Sequence, residues 1–290
     1  MTLEPRTSVV VRSFNDRATV EQVLLGIRGQ SVSTRILVFD NDSEDGTTEI
    51  ARKLADEVIR VPRGNYIPGR VLNDAMDRCG GEFVVFLNAD CTPEDRAWLE
   101  ELLGAVDGDG VAAAFSRQMP RAGCEPLESL DIERCYGDGR GQEAARHTFS
   151  MASSAIRRSV WQLRPFDRDL RYSEDVDWTW RARQLGYRVV YAPKSKVFHS
   201  HNYSLAQLYT RYRGEGRAEA RIFPWSWWQK SLMRYSVLPW GRKVLADWKH
   251  CARHGLWPDL VRSPLYRAVQ AFGRRRGFLE GLAGTQGAGR

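Results

Sequence analysis

Two short polar segments, Asp40-Asn41-Asp42 and Asn88-Ala89-Asp90, each follow an apolar run of strand type, residues 35–39 and 82–87. In an open α/β sheet, ligands bind beyond the carboxyl ends of strands, so both segments are candidate sites. A carboxylate at such an end, Asp90, can hold a divalent metal that bridges the two phosphates of a sugar nucleotide and takes up charge on a departing diphosphate. The same residue can also serve as a turn former or a helix cap. Asp40 can accept a hydrogen bond from the imide N–H of uracil or thymine, with Arg12, Ser13 and Asn15 facing base and ribose from the end of the first strand. That segment reads equally as a polar turn, and ligand loops and turns often coincide.

Two further clusters lie downstream. Ser173-Glu174-Asp175 looks like a helix start, with Ser173 as cap and two carboxylates at the positive end of the helix dipole. Beyond that structural role, one of the carboxylates, Asp175 by preference over Glu174, can act as general base on an acceptor hydroxyl that attacks a sugar carbon. His199 and His201 are two apart, so on an extended strand both side chains face the same way. Neutral imidazole is a ligand for manganese or zinc, and with Asp90 one of the two can complete a metal site; His199, nearer the strand, is the better placed.

The elements that must position these groups follow a βα rhythm. Strands are expected near residues 8–12, 35–39, 56–61 and 82–87, and helices near 17–29, 45–54 and 71–79, with Ser43 capping the second helix. This alternation implies right-handed βαβ units and a mostly parallel, Rossmann-like sheet with flanking helices. After Asp90, Pro93 is expected in the first turn of a helix running to about residue 103. Residues 107–150 read as irregular, and Cys135 to Gly141 as a mobile loop able to close over substrate. Order resumes over residues 150–156, and a helix ending before Pro165 follows. From residue 205, Pro224, Pro239, Pro258 and Pro264 are expected to divide a basic, tryptophan-rich stretch into short helices.

Composition bounds the class. The chain of 290 residues, 42% hydrophobic and 27% charged, can bury a full core and is not a disordered protein. Residues 1–200 carry 27 Lys and Arg against 31 Asp and Glu, whereas residues 201–290 carry 16 against 5, so the net charge of +7 is concentrated in the tail. Five cysteines show neither a CxxC pair nor metal-knuckle spacing, which fits thiols in a reducing compartment. No apolar run approaches the roughly 18 residues of a membrane span, so a cytoplasmic protein, or one peripheral on the cytoplasmic face of the membrane, is expected.

In its order of motifs the chain resembles the family 2 glycosyltransferases, which have the GT-A fold. The matching segments are Val11 to Asn15, Phe39 to Ser43 with Asp45-Gly46-Thr47, Gly69-Arg70-Val71-Leu72-Asn73, Gly81 to Asp90 and Ser173-Glu174-Asp175. The segments Phe149 to Trp161, Pro165-Phe166-Asp167 and His199 to Ser204 resemble the bacterial rhamnosyltransferase-like subgroup. The resemblance implies an inverting transfer from a UDP- or dTDP-sugar to a hydroxyl of a glycan or lipid-linked acceptor in surface polysaccharide or glycoconjugate synthesis, with Mn²⁺ or Mg²⁺ as cofactor. By position, Arg12, Ser13, Asn15, Asp40, Asn41, Arg70, Asn88, Ala89 and Asp90 would hold the nucleotide sugar, Asp90 and His199 the metal, and Asp175 with Glu174 the catalysis. Asn88 stands where many members have Asp, so a contact there would be neutral. A GT-A domain over 1–204, its donor half about 1–105 and its acceptor half about 106–204, would precede a basic helical region over 205–290. A non-catalytic nucleotide-sugar or glycan-binding module is the competing reading. For the tail, the options are an anionic membrane surface, an ordinary packed helical region and, least favoured, nucleic acid; a homo-oligomer is also possible.

Overall fold

The computed structural model describes residues 7–64, 66–139, 149–226 and 230–287, and these fall into two compact units. The first comprises residues 1–121, 132–170 and 174–200; the second comprises 122–131, 171–173 and 201–290.

One sheet organises the first unit. Strands β1 (Thr7–Ser13), β2 (Arg35–Asp40), β3 (Glu57–Arg60) and β4 (Phe83–Asn88) run parallel in the order β3-β2-β1-β4. Next to β4, β7 (Ser153–Arg157) enters antiparallel, and β6 (Val111–Met119) and β8 (Arg188–Phe198) follow as a parallel pair. The central strands are apolar throughout because both faces of the sheet are covered. Val9 and Val11 of β1 join the core formed with α1 (Val20–Arg28), α2 (Thr47–Leu54) and α4 (Trp98–Val106). Val10 points the other way, into the core of α3 (Pro68–Arg78), α6 (Arg158–Leu163) and α7 (Glu174–Gln184). All three valines are fully buried, each stabilising the sheet by roughly 1.5–3 kcal/mol.

Four local expectations are corrected. Ser43 does not cap α2: Gly46 sits at the cap position with φ 96°, and Ser43 is hydrogen-bonded to Asp40 instead. Thr92-Pro93 forms a two-residue edge strand, β5, against Phe198 and Val197, where proline's missing N–H costs nothing, and the helix begins only at Trp98. That start is fixed by the Trp98 indole, which donates to Ser153 Oγ (3.0 Å) and Ser116 Oγ (3.3 Å) inside the core. Residues 107–150 are largely ordered: they carry the nine-residue strand β6 and helix α5 (Pro126–Tyr136), while the glycine-containing segment from Arg140 lies outside the described residues. Finally, Ser173 has φ 58°, not the extended backbone of a capping serine, and Asp175 Oδ1 takes the Val176 N–H at 2.8 Å.

The second unit is built on long helices, not short ones: α8 (Leu205–Ile222), α9 (Leu238–His254) and α10 (Trp257–Gly287), with a π-helical turn at Met233–Val237. Pro239 and Pro258 lie in first turns, where proline is tolerated. Pro264 sits inside α10 and cannot donate to the Leu260 carbonyl; the indole of Trp248 does so instead, at 2.9 Å. Trp227 and Trp228 are outside the described residues. Helices α8 and α10 approach so closely that a Cβ added at Gly277 would lie 1.8 Å from the Arg213 carbonyl oxygen. Gly277→Val is therefore expected to destabilise the protein by about 2 kcal/mol or more in urea unfolding, whereas Gly284→Ala, with no atom within 4 Å, should leave stability unchanged or raise it. Equal effects of the two substitutions would contradict this packing.

Candidate active site

A cleft of about 200 Å³ opens beyond the carboxyl ends of β1 and β4. Of the residues expected there, Arg12, Ser13, Asn41, Asn88 and Asp90 line it, and Phe14, Asp16 and Tyr66 join them. Strand order explains the gathering. β1 and β4 are paired in parallel with Arg12 beside Asn88, so their two polar C-terminal residues emerge side by side.

Arg12 links this cleft to the start of α7. Its guanidinium donates to Asn88 Oδ1 (2.8 Å) and lies 3.6 Å from Glu174 Oε1, with both charged side chains nearly buried. Its Nε–H is buried without a hydrogen-bond partner, and so is Asn41 Oδ1. Asp175 accepts the N–H groups of Met151 (3.1 Å) and Val176 (2.8 Å), yet remains half-buried where Glu174 is closed off. Because the Asn88 N–H donates to the neighbouring Ala152 carbonyl at 3.0 Å, the ends of β4, β7 and α7 are tied together.

Asp90 and His199 also meet, with Oδ2 and Nε2 3.5 Å apart. His199 lies just past the end of β8, not on it, and its own N–H donates to the Met119 carbonyl. Its Nδ1 is 2.7 Å from Gln118 Oε1 on β6. A carboxamide oxygen only accepts, so Nδ1 is a donor, and in the neutral imidazole the lone pair is then on Nε2, the nitrogen nearer Asp90. A carboxylate oxygen and an imidazole nitrogen form a mixed donor set that fits Mn²⁺ better than Mg²⁺, which prefers oxygen ligands. His201 belongs to the second unit.

The remaining expected contacts are engaged elsewhere. Asp40 is buried and takes hydrogen bonds from Ser13 Oγ, Ser43 N and Oγ, and Thr48 Oγ1, so it clasps the turn rather than facing the cleft. Asn15, at φ 55°, pins Ser43 and Glu44. Ala89 is fully buried and its carbonyl accepts from Thr19. Arg70 holds the Arg168 carbonyl and the Asp169 carboxylate. The whole Gly69 to Asn73 motif acts in this way: buried Asn73 bonds Trp161 and both backbone groups of Phe166, and Gly69 leaves room for the Asp167 carbonyl.

Burial sets the electrostatics. It raises Glu174 to about 7, with Asp175 adding to the rise and Arg12 opposing it. It also raises Asp175, against its two backbone N–H bonds, and so makes it a stronger base. Asp16 is pushed up to about 6 by burial and then by Asp90 and Asp45. Sequence reasoning missed Asp16, Tyr66 and Gln118. Asp16 was legible in principle as the acidic residue beyond the first strand, but Gln118 reaches His199 only through the β6–β8 pairing, which no local pattern announces.

A family model described as glycosyl transferase family 2 matches residues 8–162, more than half of the chain. The chain belongs to that family. Over 203 residues this family member is 30% identical to the O-antigen chain rhamnosyltransferase WbaN of Salmonella anatum, an alignment covering 66% of the chain and 64% of WbaN's length. Among solved structures, the mannosyltransferase PcManGT of Pyrobaculum calidifontis, in complex with GDP-Man and Mn²⁺, superposes with a TM-score of 0.61 at 19% identity, covering 98% of this chain and 87% of that one. Glucosyl-3-phosphoglycerate synthase of Mycobacterium tuberculosis, in complex with Mn²⁺, UDP and glucosyl-3-phosphoglycerate, superposes at 0.57 with 20% identity, covering 77% and 82%. At these identities the likeness carries the fold, the GT-A arrangement of curled, mostly parallel sheet and flanking helices.

The Glu174 shift has a thermodynamic consequence for this glycosyltransferase-family chain. Since Glu174 titrates near 7 when folded and near 4.5 when unfolded, the native state holds the extra proton between those values and its stability falls as pH rises through that window. Glu174→Gln should therefore gain stability relative to wild type between pH 4.5 and 8, on the order of 1–3 kcal/mol by chemical denaturation. A difference that stays constant with pH would contradict the assignment.

Proposed function

We propose that the protein is an inverting glycosyltransferase that moves a sugar from a UDP- or dTDP-sugar to a hydroxyl of a glycan or lipid-linked acceptor in bacterial surface polysaccharide or glycoconjugate synthesis. The observation that carries this reading is that Arg12, which lines the cleft with Asn88 and Asp90, also lies against Glu174 at the start of α7, next to Asp175. In this reading residues 1–105 hold the donor and residues 106–204 the acceptor. Rhamnosyl transfer, as in the Salmonella relative's name, is the first chemistry to try.

The chain's residues divide the work. Asn41 Oδ1, an unpartnered acceptor, suits the imide N–H of uracil or thymine, and Arg12 Nε–H, an unpartnered donor on a buried cation, suits a phosphate oxygen. Asp90 and His199 would hold Mn²⁺ or Mg²⁺, with Gln118 fixing the imidazole tautomer. When bound, the metal supplies charge neutralisation for the departing diphosphate. Asp175, raised in basicity and less closed off than Glu174, removes the proton from the acceptor hydroxyl as its oxygen attacks the anomeric carbon from the face opposite the diphosphate. The bond from that carbon to the diphosphate oxygen breaks with inversion. In this reading the basic tail draws the enzyme to an anionic membrane surface, where a lipid-linked acceptor would be met.

Thermal shift with UDP, dTDP, GDP and CMP, each with and without Mn²⁺, tests the donor site, because a ligand of the native state raises the melting temperature. UDP or dTDP should stabilise the protein in a Mn²⁺-dependent way, and Asp90→Ala and His199→Ala should abolish that dependence. Gln118→Leu should weaken Mn²⁺ binding by about 10- to 100-fold, read by titration calorimetry. Asp175→Asn should keep donor binding and lose about 10²- to 10⁴-fold in turnover. No shift with any nucleotide would favour the binding-module reading, and a fully active Asp175→Asn would remove Asp175 from the mechanism.

A further inference from the structure

Helices α9 and α10 form an antiparallel hairpin whose outer side is apolar where a soluble helix pair is ordinarily polar. Along α10, Trp257, Val261, Leu265 and Phe272 recur at helical spacing and are 62%, 82%, 59% and 67% exposed; on α9, Leu245 is 65% and Trp248 42% exposed. The two sets adjoin, because Trp248 donates to the Leu260 carbonyl beside Val261, and Trp240 to the Pro264 carbonyl beside Leu265.

The charge of this stretch is one-sided. Residues 231–279 contain ten Lys and Arg but two carboxylates, Asp247 and Asp259, and both are buried. Asp247 is used up by Arg267 and Ser263, and Asp259 lies 3.4 Å from Arg262. Arg242, Lys249 and Arg253 are exposed on α9 with no ion pair among the described residues. Arg242 and Lys249, seven apart, alternate with Leu238 and Leu245, also seven apart, so cations and apolar side chains share one helical face.

We propose that this side of the hairpin, carried by Leu245, Trp248, Val261 and Leu265 and flanked by Arg242 and Lys249, docks on the surface of an anionic lipid bilayer. It rests on the membrane reading above and names the surface responsible. Aliphatic side chains enter the acyl boundary, the indole sits at the headgroup level, and the long cationic stems reach the lipid phosphates. Two copies of such a face would repel each other, since neither offers an exposed carboxylate, and the aliphatic Leu245, Val261 and Leu265 add apolar surface that suits acyl chains and not the stacking of bases. No helix of the described residues is long and apolar enough to cross a membrane, which suits docking in the plane of the surface.

Co-sedimentation of the full chain with phosphatidylcholine vesicles, alone or with about one-third phosphatidylglycerol, tests the proposal at low salt and at about 0.5 M salt. Wild type should pellet with the anionic vesicles at low salt only. Arg242→Glu/Lys249→Glu and Val261→Ser/Leu265→Ser should each lower partitioning at least about tenfold, while Arg221→Glu, on the exposed end of α8, should have a much smaller effect. Wild type failing to pellet would overturn both the membrane reading and this face. Wild type pelleting while the hairpin variants pellet equally well, or Arg221→Glu losing as much as they do, would overturn the face alone. Light scattering that showed a dimer dispersed by Val261→Ser/Leu265→Ser would also overturn it, assigning the surface to a second copy.

Discussion

A buried guanidinium has to be neutralised and hydrogen-bonded, and at Arg12 that requirement fixes where three elements end. Asn88 accepts its hydrogen bond, and the adjoining Glu174 and Asp175 carboxyl groups together offset its charge. Arg12 is the next-to-last residue of β1, Asn88 closes β4 and Glu174 opens α7, and each element is anchored in turn by the core behind it. The polar residues at the cleft are thus positioned by the apolar ones behind them. What remains unsatisfied, Arg12 Nε–H and Asn41 Oδ1, belongs to two residues that line the cleft.

Much of the first unit was legible because its strands are continuous apolar runs ending in polar residues. Val9-Val10-Val11 and Phe83 to Leu87 are buried on both faces, and the candidate residues Arg12, Asn88 and Asp90 follow directly from where those runs stop. The site was less legible where a residue's neighbours come from distant parts of the chain. Asp40 looked like a base contact by position but is consumed by four local donors, while Asn41 beside it faces the cleft. Arg70 is expected from its motif at the nucleotide sugar, but it is bonded to the Arg168 carbonyl and the Asp169 carboxylate. Gln118 is a central residue of β6 whose role exists only once β8 pairs alongside it.

The second unit follows a different logic. Its prolines were expected to break helices, but Pro264 is accommodated because the carbonyl it leaves without a partner accepts from Trp248. Its interior holds a charged network, Arg267 with Asp247 and Asp131, in place of a large apolar core. Gly277, Gly273 and Gly281, spaced by four, let α10 lie against α8 backbone to backbone, a signal present in the sequence and readable only as a helix face. With its carboxylates drawn inward, this unit presents cations and apolar side chains outward.

The central claim is that Asp90 and His199 form the metal-binding end of a nucleotide-sugar cleft. Anomalous diffraction from crystals grown with MnCl₂ and UDP tests it most directly. The account predicts a manganese peak in contact with an Asp90 carboxylate oxygen and His199 Nε2, with the diphosphate beside it and Gln118 still on Nδ1. A manganese peak coordinated elsewhere, with nucleotide bound away from Arg12 and Asn41, would contradict it.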